Sequence, residues 1–332
     1  MKKNIFTLFA LLALLVLAAC GGDDKPSTEA EGNEGEASGD KEQYVIGVTQ
    51  IVEHPSLNAA FDGFKKALED AGLDVKYDVQ NAQNDQSINA QIATNLVGDQ
   101  VDLIFANSTP SALAAKAATD DIPIVFTSVT NAVEANLVDS NEAPGGNVTG
   151  TTDNHPEAVA KSIEFLKDEL GSTKIGMVFD SGEQNSRVQI DQAKAAAKQY
   201  GVEIVDAAVS SSAEVKQATE SLIGKVDSIY IITDNTVVNA LESVVGVAEE
   251  HDLPMFVAEF DSVARGGLGA FGFEFYDIGY EAGEMAVQIL KDGKKPADIP
   301  VQVPQNLRLL INEEKAKQLN IEIKEEWNAE LK

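Results

Sequence analysis

The sequence predicts an α/β fold made of two doubly wound lobes, and three observations lead there. From Tyr44 onward, strand-like and helix-like segments alternate, the pattern of a parallel sheet covered on both faces. One strand, loop and helix unit, residues 46–72, returns 129 residues later, with Gly47 and Gly72 matched by Gly176 and Gly201. Further along, Val101-Asp102 and Ile104-Phe105 recur as Val226-Asp227 and Ile229-Tyr230, and Ile122-Pro123-Ile124 recurs as Leu253-Pro254-Met255. One such unit is a common fragment; two in register imply a duplicated architecture.

In the first half the pattern predicts strands near 44–51, 73–79, 101–106, 122–127 and 147–152, with helices near 55–71, 86–99 and 110–119. Ile46, Val48 and Ile51 supply the first β-branched run. Pro55 suits a first helical position, where its missing N–H costs nothing, and Gly72 suits the left-handed stop. Thr109-Pro110 reads as a capping Thr with Pro at the first helical position. The second half predicts strands near 174–179, 202–208, 226–232, 254–258 and 268–273, with helices near 186–200, 212–224 and 236–251. The fifth strands, Val148-Thr149-Gly150-Thr151 and Ala270-Phe271-Gly272-Phe273, are each followed by a helix, 156–170 and 277–292. Residues 292–310, with Pro296, Pro300 and Pro304, supply another connection between the halves, and 312–323 finishes the second. The N-terminal lobe is thus expected to comprise 44–153 plus 276–300, and the C-terminal lobe 154–275 plus 301–326.

Composition narrows the function. At 332 residues and 44% hydrophobic content the chain can bury real cores. A formal charge of −29 argues against nucleic acid as a partner, since like charges repel. The single cysteine, Cys20, excludes an internal disulfide framework and a Cys-based zinc site. His54, His155 and His251 are too few for a histidine-rich centre, so neither a metal nor a cofactor is expected.

The first 19 residues carry Lys2 and Lys3 and then an apolar run too short for a membrane span, which reads as an export signal. The run ends in Leu17-Ala18-Ala19-Cys20-Gly21, which resembles the lipobox of bacterial lipoproteins. That resemblance implies cleavage before Cys20 and a diacylglyceryl anchor, whose two chains suffice for stable attachment. Residues 20–43 are mostly Gly, Ser, Glu and Asp and cannot offset their ordering entropy, so they form a tether. A coil of that length spans roughly 25 Å on average.

Two facing α/β sheets aim their strand-end loops into a shared cleft. Those loops carry small hydroxyls, amides and acids: Gln50, Glu53 and His54; Asn107 and Ser108; Thr127 and Ser128; Asp180, Glu183, Asn185 and Ser186; Asp234 and Asn235; and Glu259. Ahead of helices such groups and free N–H donors suit a ligand carboxylate, and singly each also reads as an ordinary cap. The acids suit an ammonium group or a solvated surface. His54 is either a donor to the ligand or a residue packed ahead of Pro55, and Phe275 either flanks an apolar ligand group or packs in the hinge. No Gly-x-Ser-x-Gly elbow, phosphate loop or dinucleotide fingerprint is present, so no enzyme is expected.

Five motifs spread over the chain carry a resemblance: Thr49-Gln50-Ile51-Val52-Glu53-His54-Pro55, Pro144-Gly145-Gly146-Asn147-Val148-Thr149-Gly150, Asn185-Ser186, Asp234-Asn235-Thr236, and Asp261-Ser262-Val263-Ala264-Arg265-Gly266-Gly267. With them the chain resembles the substrate-binding lipoproteins of ABC importers, of the tryptophan/tyrosine type. The resemblance implies a type I periplasmic-binding-protein-like fold with a three-segment hinge and an aromatic amino acid between the lobes. It also implies transfer of the ligand to permease transmembrane subunits driven by a cytoplasmic ATPase. The protein would then sit lipid-anchored on the outer face of the cytoplasmic membrane. Within that frame Ser108, Thr127 and Ser128 are expected on the ligand carboxylate, and Glu259 and Asp234 on its amine. The alternatives are a receptor for a nucleoside or sugar on the same hinge, and a lipid-anchored hydrolase.

Overall fold

The structure is a computed structural model and describes residues 43–332; the expected signal, Cys20 and nearly all of the tether lie outside the described residues. The first half runs β1 (Gln43–Gln50), α1 (Pro55–Asp70), β2 (Asp74–Asn81), α2 (Gln86–Gly98), β3 (Leu103–Asn107), α3 (Thr109–Ala118), β4 (Ile124–Val129) and β5 (Val148–Thr152). These strands make one parallel sheet in the order β2-β1-β3-β4-β5. The second half runs α4 (Ala158–Asp168), β6 (Lys174–Asp180), α5 (Gln184–Tyr200), β7 (Glu203–Val209), α6 (Val215–Glu220), β8 (Ser228–Ile231), α7 (Asn235–Asn239), α8 (Leu241–Glu250), β9 (Met255–Val257), α9 (Phe260–Ala264) and β10 (Gly269–Gly272). After it come α10 (Phe275–Leu290), β11 (Arg308–Ile311), α11 (Glu313–Gln318) and β12 (Glu330–Leu331). The second sheet reads β12-β11-β10-β9-β8-β6-β7.

The duplication extends to individual atoms. Asp102 Oδ2 accepts the N–H of Val45 at 2.7 Å, and Asp227 Oδ2 accepts those of Thr173 and Lys174 at 2.7 and 2.9 Å, so each aspartate pins the start of its half's first strand. Gly47 and Gly176 perform a second shared task. A side chain at either would press on a leucine, Leu96 or Leu222, packed against that strand.

Each fifth strand is followed by a helix that changes lobe. α4 packs Ile163 and Leu166 among Ile175 and Met177 of the second core, while α10 packs Ala282, Met285 and Ala286 among Ile46, Phe64 and Phe105 of the first. Gly63 and Gly279 let α1 and α10 approach until backbone meets backbone, since a Cβ on Gly279 would sit against the carbonyl of Ala60. The chain therefore passes between the two sheets three times, after β5, after β10 and before β11.

Four local expectations differ from the structure. Ser108, at φ 103°, caps α3, so Thr109 and Pro110 are its first two residues, and Thr109 Oγ1 instead accepts the N–H of Thr130. The long helices expected at 212–224 and 236–251 are each broken into shorter pieces. Residues 308–311 form β11, antiparallel to β10, and β12 lies beyond residue 326. The helix expected from Ser186 starts at Gln184, which puts Asn185 in its first turn.

Candidate functional site

Strands β1 to β5 run parallel to one another in the first sheet and β6 to β10 in the second, so their carboxyl ends gather at one edge of each, and the two edges face each other. Between them lies an enclosed cavity lined by His54, Leu57, Ser128, Asp153, Asn185, Thr233, Asn235, Glu259 and Phe275. About 240 Å³ lies between the atoms, of which the centre of a water molecule reaches about 10 Å³.

The N-terminal lobe contributes neutral groups. His54 occupies the N-cap position of α1 in an extended conformation, yet its ring caps nothing; buried Nδ1 has no partner. Burial, and secondarily the charge of Arg265, pulls its pKa down to about 3, so the imidazole is neutral. Ser128 sits at φ 57° where the β4–β5 register shifts, and its buried Oγ is also unpartnered. Left-handed backbone at a residue other than glycine costs energy and turns this hydroxyl toward the cleft.

Two carboxylates complete the lining, one from the other lobe and one from the first crossing. Glu259, the N-cap of α9, accepts the hydroxyls of Ser56 at 2.9 Å and Ser262 at 3.1 Å, both on Oε2. Asp153, in the first crossing, accepts the hydroxyl of Thr130 at 3.1 Å. Burial pushes each acid up to about 7, and the neighbouring Asp153 adds to the effect on Glu259. Asn185 donates Nδ2 to Glu183 Oε2 and to the Thr233 carbonyl, leaving buried Oδ1 without a partner. Phe275, stacked on Phe273 with centroids 5.7 Å apart, and Leu57 supply the apolar wall.

Of the residues expected in the site, His54, Ser128, Asn185, Asn235, Glu259 and Phe275 meet at this cavity. Gln50 and Asn107 stand behind it. Asn107 Nδ2 donates to Gln50 Oε1 and the Leu57 carbonyl, and Gln50 Nε2 donates to the Val52 carbonyl and Asn58 Oδ1, which fixes the loop bearing His54. Ser108 is spent on its cap, and Thr127 Oγ1 accepts the Thr151 hydroxyl. Glu53 is exposed and points elsewhere.

Asp180, Glu183 and Asp234 brace the C-terminal lobe rather than face the cavity. Glu183 gathers Asn185 Nδ2, Asn235 Nδ2 and the Thr236 N–H; Asp180 accepts the hydroxyl of Thr236; Asp234 caps α7 and accepts the N–H of Asp180 at 2.6 Å. Burial raises Glu183, and together with the charge of Glu183 lifts Asp234 to about 8. Ser186 is buried beside them. Among the described residues no group of three or more His, Cys, Asp or Glu side chains could hold a metal ion. Asp153, Leu57 and Ser56 escaped the sequence reading, whereas Thr233 stood in a strand-end loop singled out there without being taken as a site residue. For Asp153 a signal existed, because it directly follows the fifth strand, whose end, like that of the second, was left out of the loop survey.

Among the described residues three hydrogen bonds cross between lobes: Ser56 to Glu259, Asn84 Nδ2 to Thr236 Oγ1 at 2.8 Å, and Gln189 Nε2 to Thr130 Oγ1 at 3.2 Å. The lobes are closed on each other.

Comparison with known proteins fits this geometry. The profile of the family described as ABC transporter substrate binding protein matches residues 45–330. A protein named Tyrosine-binding protein, from Clostridioides difficile (strain R20291), is 42% identical over 328 residues, covering 97% of this chain and 93% of that one. The solved structure of an ABC domain in complex with L-Trp from Streptococcus pneumoniae is 33% identical and covers 87% of this chain and 99% of that one, with a TM-score of 0.83. The ligand-free, open structure of a substrate binding protein with adhesive properties from Clostridium difficile covers the same shares at 40% identity, but with a TM-score of 0.65. The less identical chain superposes better, so lobe arrangement rather than sequence distance sets the fit.

Proposed function

The chain belongs to the ABC transporter substrate binding protein family, and on that premise we propose that it binds an aromatic amino acid between its lobes and delivers it to a membrane permease. The observation that carries this reading is the convergence on one cavity of three buried, unpartnered polar atoms, His54 Nδ1, Ser128 Oγ and Asn185 Oδ1, with two carboxylates and an aromatic wall. Buried polar atoms are nearly always paired, so three orphans around one space mark where a ligand's own groups fit.

The division of labour follows from charge. The Ser128 hydroxyl and neutral His54 take the ligand carboxylate; Glu259, Asp153 and Asn185 Oδ1 take the ammonium; Phe275 and Leu57 flank the ring. Ser108, Thr127 and Asp234 shape the walls without reaching the ligand. The space left in this closed arrangement is close to that of a single water, so an amino acid enters with the lobes further apart. A sugar or nucleoside would leave both carboxylates without a cation, which weighs against those ligands. Lipid attachment at Cys20 on the outer face of the membrane completes the reading.

Calorimetry with tryptophan, tyrosine and phenylalanine, followed by the other amino acids, tests it. We expect saturable heat from at least one aromatic amino acid, and an affinity loss of about a hundredfold on Glu259→Gln, as for removal of a buried charged partner. Absence of heat from all three would overturn the ligand assignment.

A further inference from the structure

We propose that amine recognition and lobe closure are one event in this protein: the closed cleft is stable only when positive charge, from the ligand's ammonium or from protons, sits between Asp153 and Glu259. The proposal rests on reading the cleft as an amine-binding site.

Glu259 is hydrogen-bonded across the cleft, and Asp153 stands one hydrogen bond away from a second cross-lobe contact. Glu259 belongs to the C-terminal lobe, and its Oε2 receives a hydroxyl from Ser56, in the first turn of α1 in the other lobe. Asp153 receives the hydroxyl of Thr130, and that same oxygen accepts Gln189 Nε2 from α5 of the C-terminal lobe. Ser56, Thr130 and Gln189 are all buried, and of these bonds the two that cross, Ser56 to Glu259 and Gln189 to Thr130, form as the lobes meet and separate when they part. Closing therefore draws the two acids out of water.

No Lys or Arg lines the cavity that they share. His54 is the only basic side chain there and is neutral. Asp261 faces Glu259 as a further acid, and Arg265, whose charge reaches His54, is bound to Glu242 at 2.8 Å while its buried Nη1 has no partner. Arg308, stacked over Phe260, is paired with Glu330 at 2.8 Å and Glu274 at 3.3 Å. Two carboxylates brought together in a nearly dry space without a cation repel each other and lose hydration. The unpartnered His54 Nδ1, Ser128 Oγ and Asn185 Oδ1 on the same walls show that the space is shaped for a polar guest. An ammonium group satisfies both acids, and a proton on each does so less specifically.

The linkage has a definite sign. In the open, hydrated cleft both acids titrate near the ordinary carboxylate value of about 4, whereas in the closed cleft both are raised to about 7. Closure without ligand thus takes up protons, is favoured in acid, and is lost as pH rises through about 7. The other buried acids, Asp234 and Glu183, take their direct hydrogen bonds from the C-terminal lobe, and Thr236, which binds Glu183, also accepts Asn84 from the other lobe, so the double variant below separates their share from that of Asp153 and Glu259.

Small-angle X-ray scattering of the mature chain, with and without tyrosine, reads closure as radius of gyration. Without ligand, the protein should be compact at about pH 5 and expanded at about pH 8.5, and with tyrosine compact at both. The deaminated analogue 3-(4-hydroxyphenyl)propionate should give compaction only in acid. A double variant, Asp153→Asn with Glu259→Gln, keeps acceptors for Ser56 and Thr130 and should be compact without ligand at both pH values. Equal ligand-free radii for the wild type at both pH values, or compaction by the deaminated analogue at the higher one, would overturn the proposal. If tyrosine has no effect while the ligand-free radius still changes with pH and the double variant abolishes that change, the ligand assignment fails and the closure mechanism stands.

Discussion

In the N-terminal half the loop after the first strand is held by amides, Gln50, Asn58 and Asn107; in the C-terminal half the matching loop is held by acids, Asp180, Glu183 and Asp234. Both networks sit at strand ends, both are buried apart from exposed Asn58, and both fix the loop that enters the cleft. The amide network is indifferent to pH, whereas in the acid network burial raises Glu183 and lifts Asp234 to about 8. A duplicated scaffold thus keeps its backbone plan while the chemistry at the strand ends diverges, leaving one lip neutral and the other titratable.

The sharpest way to break the symmetry is at the exchanged helices. α10 meets α1 through Gly63, Gly279 and Gly283, and a Cβ on Gly283 would come within 2.6 Å of the Ala67 methyl. Gly279→Val must push α10 off α1 and should cost about 4 kcal/mol or more in urea unfolding, the range of severe overpacking. α4 of the other half makes no such glycine crossing, so Ser162→Ala, which removes only a hydroxyl bonded to the Ala158 carbonyl, should stay within about 1 kcal/mol. A Gly279→Val protein of nearly native stability would show that the helices can separate freely.

A smaller effect separates the two strand-end networks. Asp234 titrates near the ordinary carboxylate value when unfolded and at about 8 when folded. Between those values the native state holds a proton that the unfolded chain has lost, so stability is highest in acid and falls as pH rises toward about 8. Ligand-free protein should therefore melt several degrees lower at about pH 8.5 than at about pH 5. Asp234→Asn should reduce that slope, whereas Asn107→Ala should lower the melting temperature without changing it. A flat profile in the wild type would mean that water reaches the acid network.

Much of the fold was legible because periodicity and punctuation agreed. Pro55 does start α1, Gly72 at φ 70° does end it, and Gly201 at φ 70° ends α5. The misses share a physical cause. β11 and β12 are short strands recruited by the edge of a finished sheet, and the breaks between α7 and α8 obey tertiary packing rather than local pattern. The site was legible as a rim of polar loops but not as a set of directions. Nothing in the local sequence says that Glu53 turns to solvent while His54 turns in, or that Asp234 braces its own lobe while Asp153, one residue past a strand, faces the cleft.

The finest test of the duplication compares its two anchoring aspartates. Asp102 holds one backbone N–H, that of Val45, while Asp227 holds two N–H groups and the hydroxyl of Thr173, which keep its carboxyl below the usual range. Both side chains are exposed, so water replaces much of what either loses. Asp102→Ala should cost less than about 1 kcal/mol in urea unfolding near neutral pH, and Asp227→Ala about twice as much. Because the folded pKa of Asp227 is depressed, its contribution is complete above the ordinary carboxylate value and disappears as pH falls through the folded one. The gap between the variants should therefore close in acid. Equal costs at neutral pH would mean that these aspartates mark a shared ancestry in sequence without sharing the load in structure.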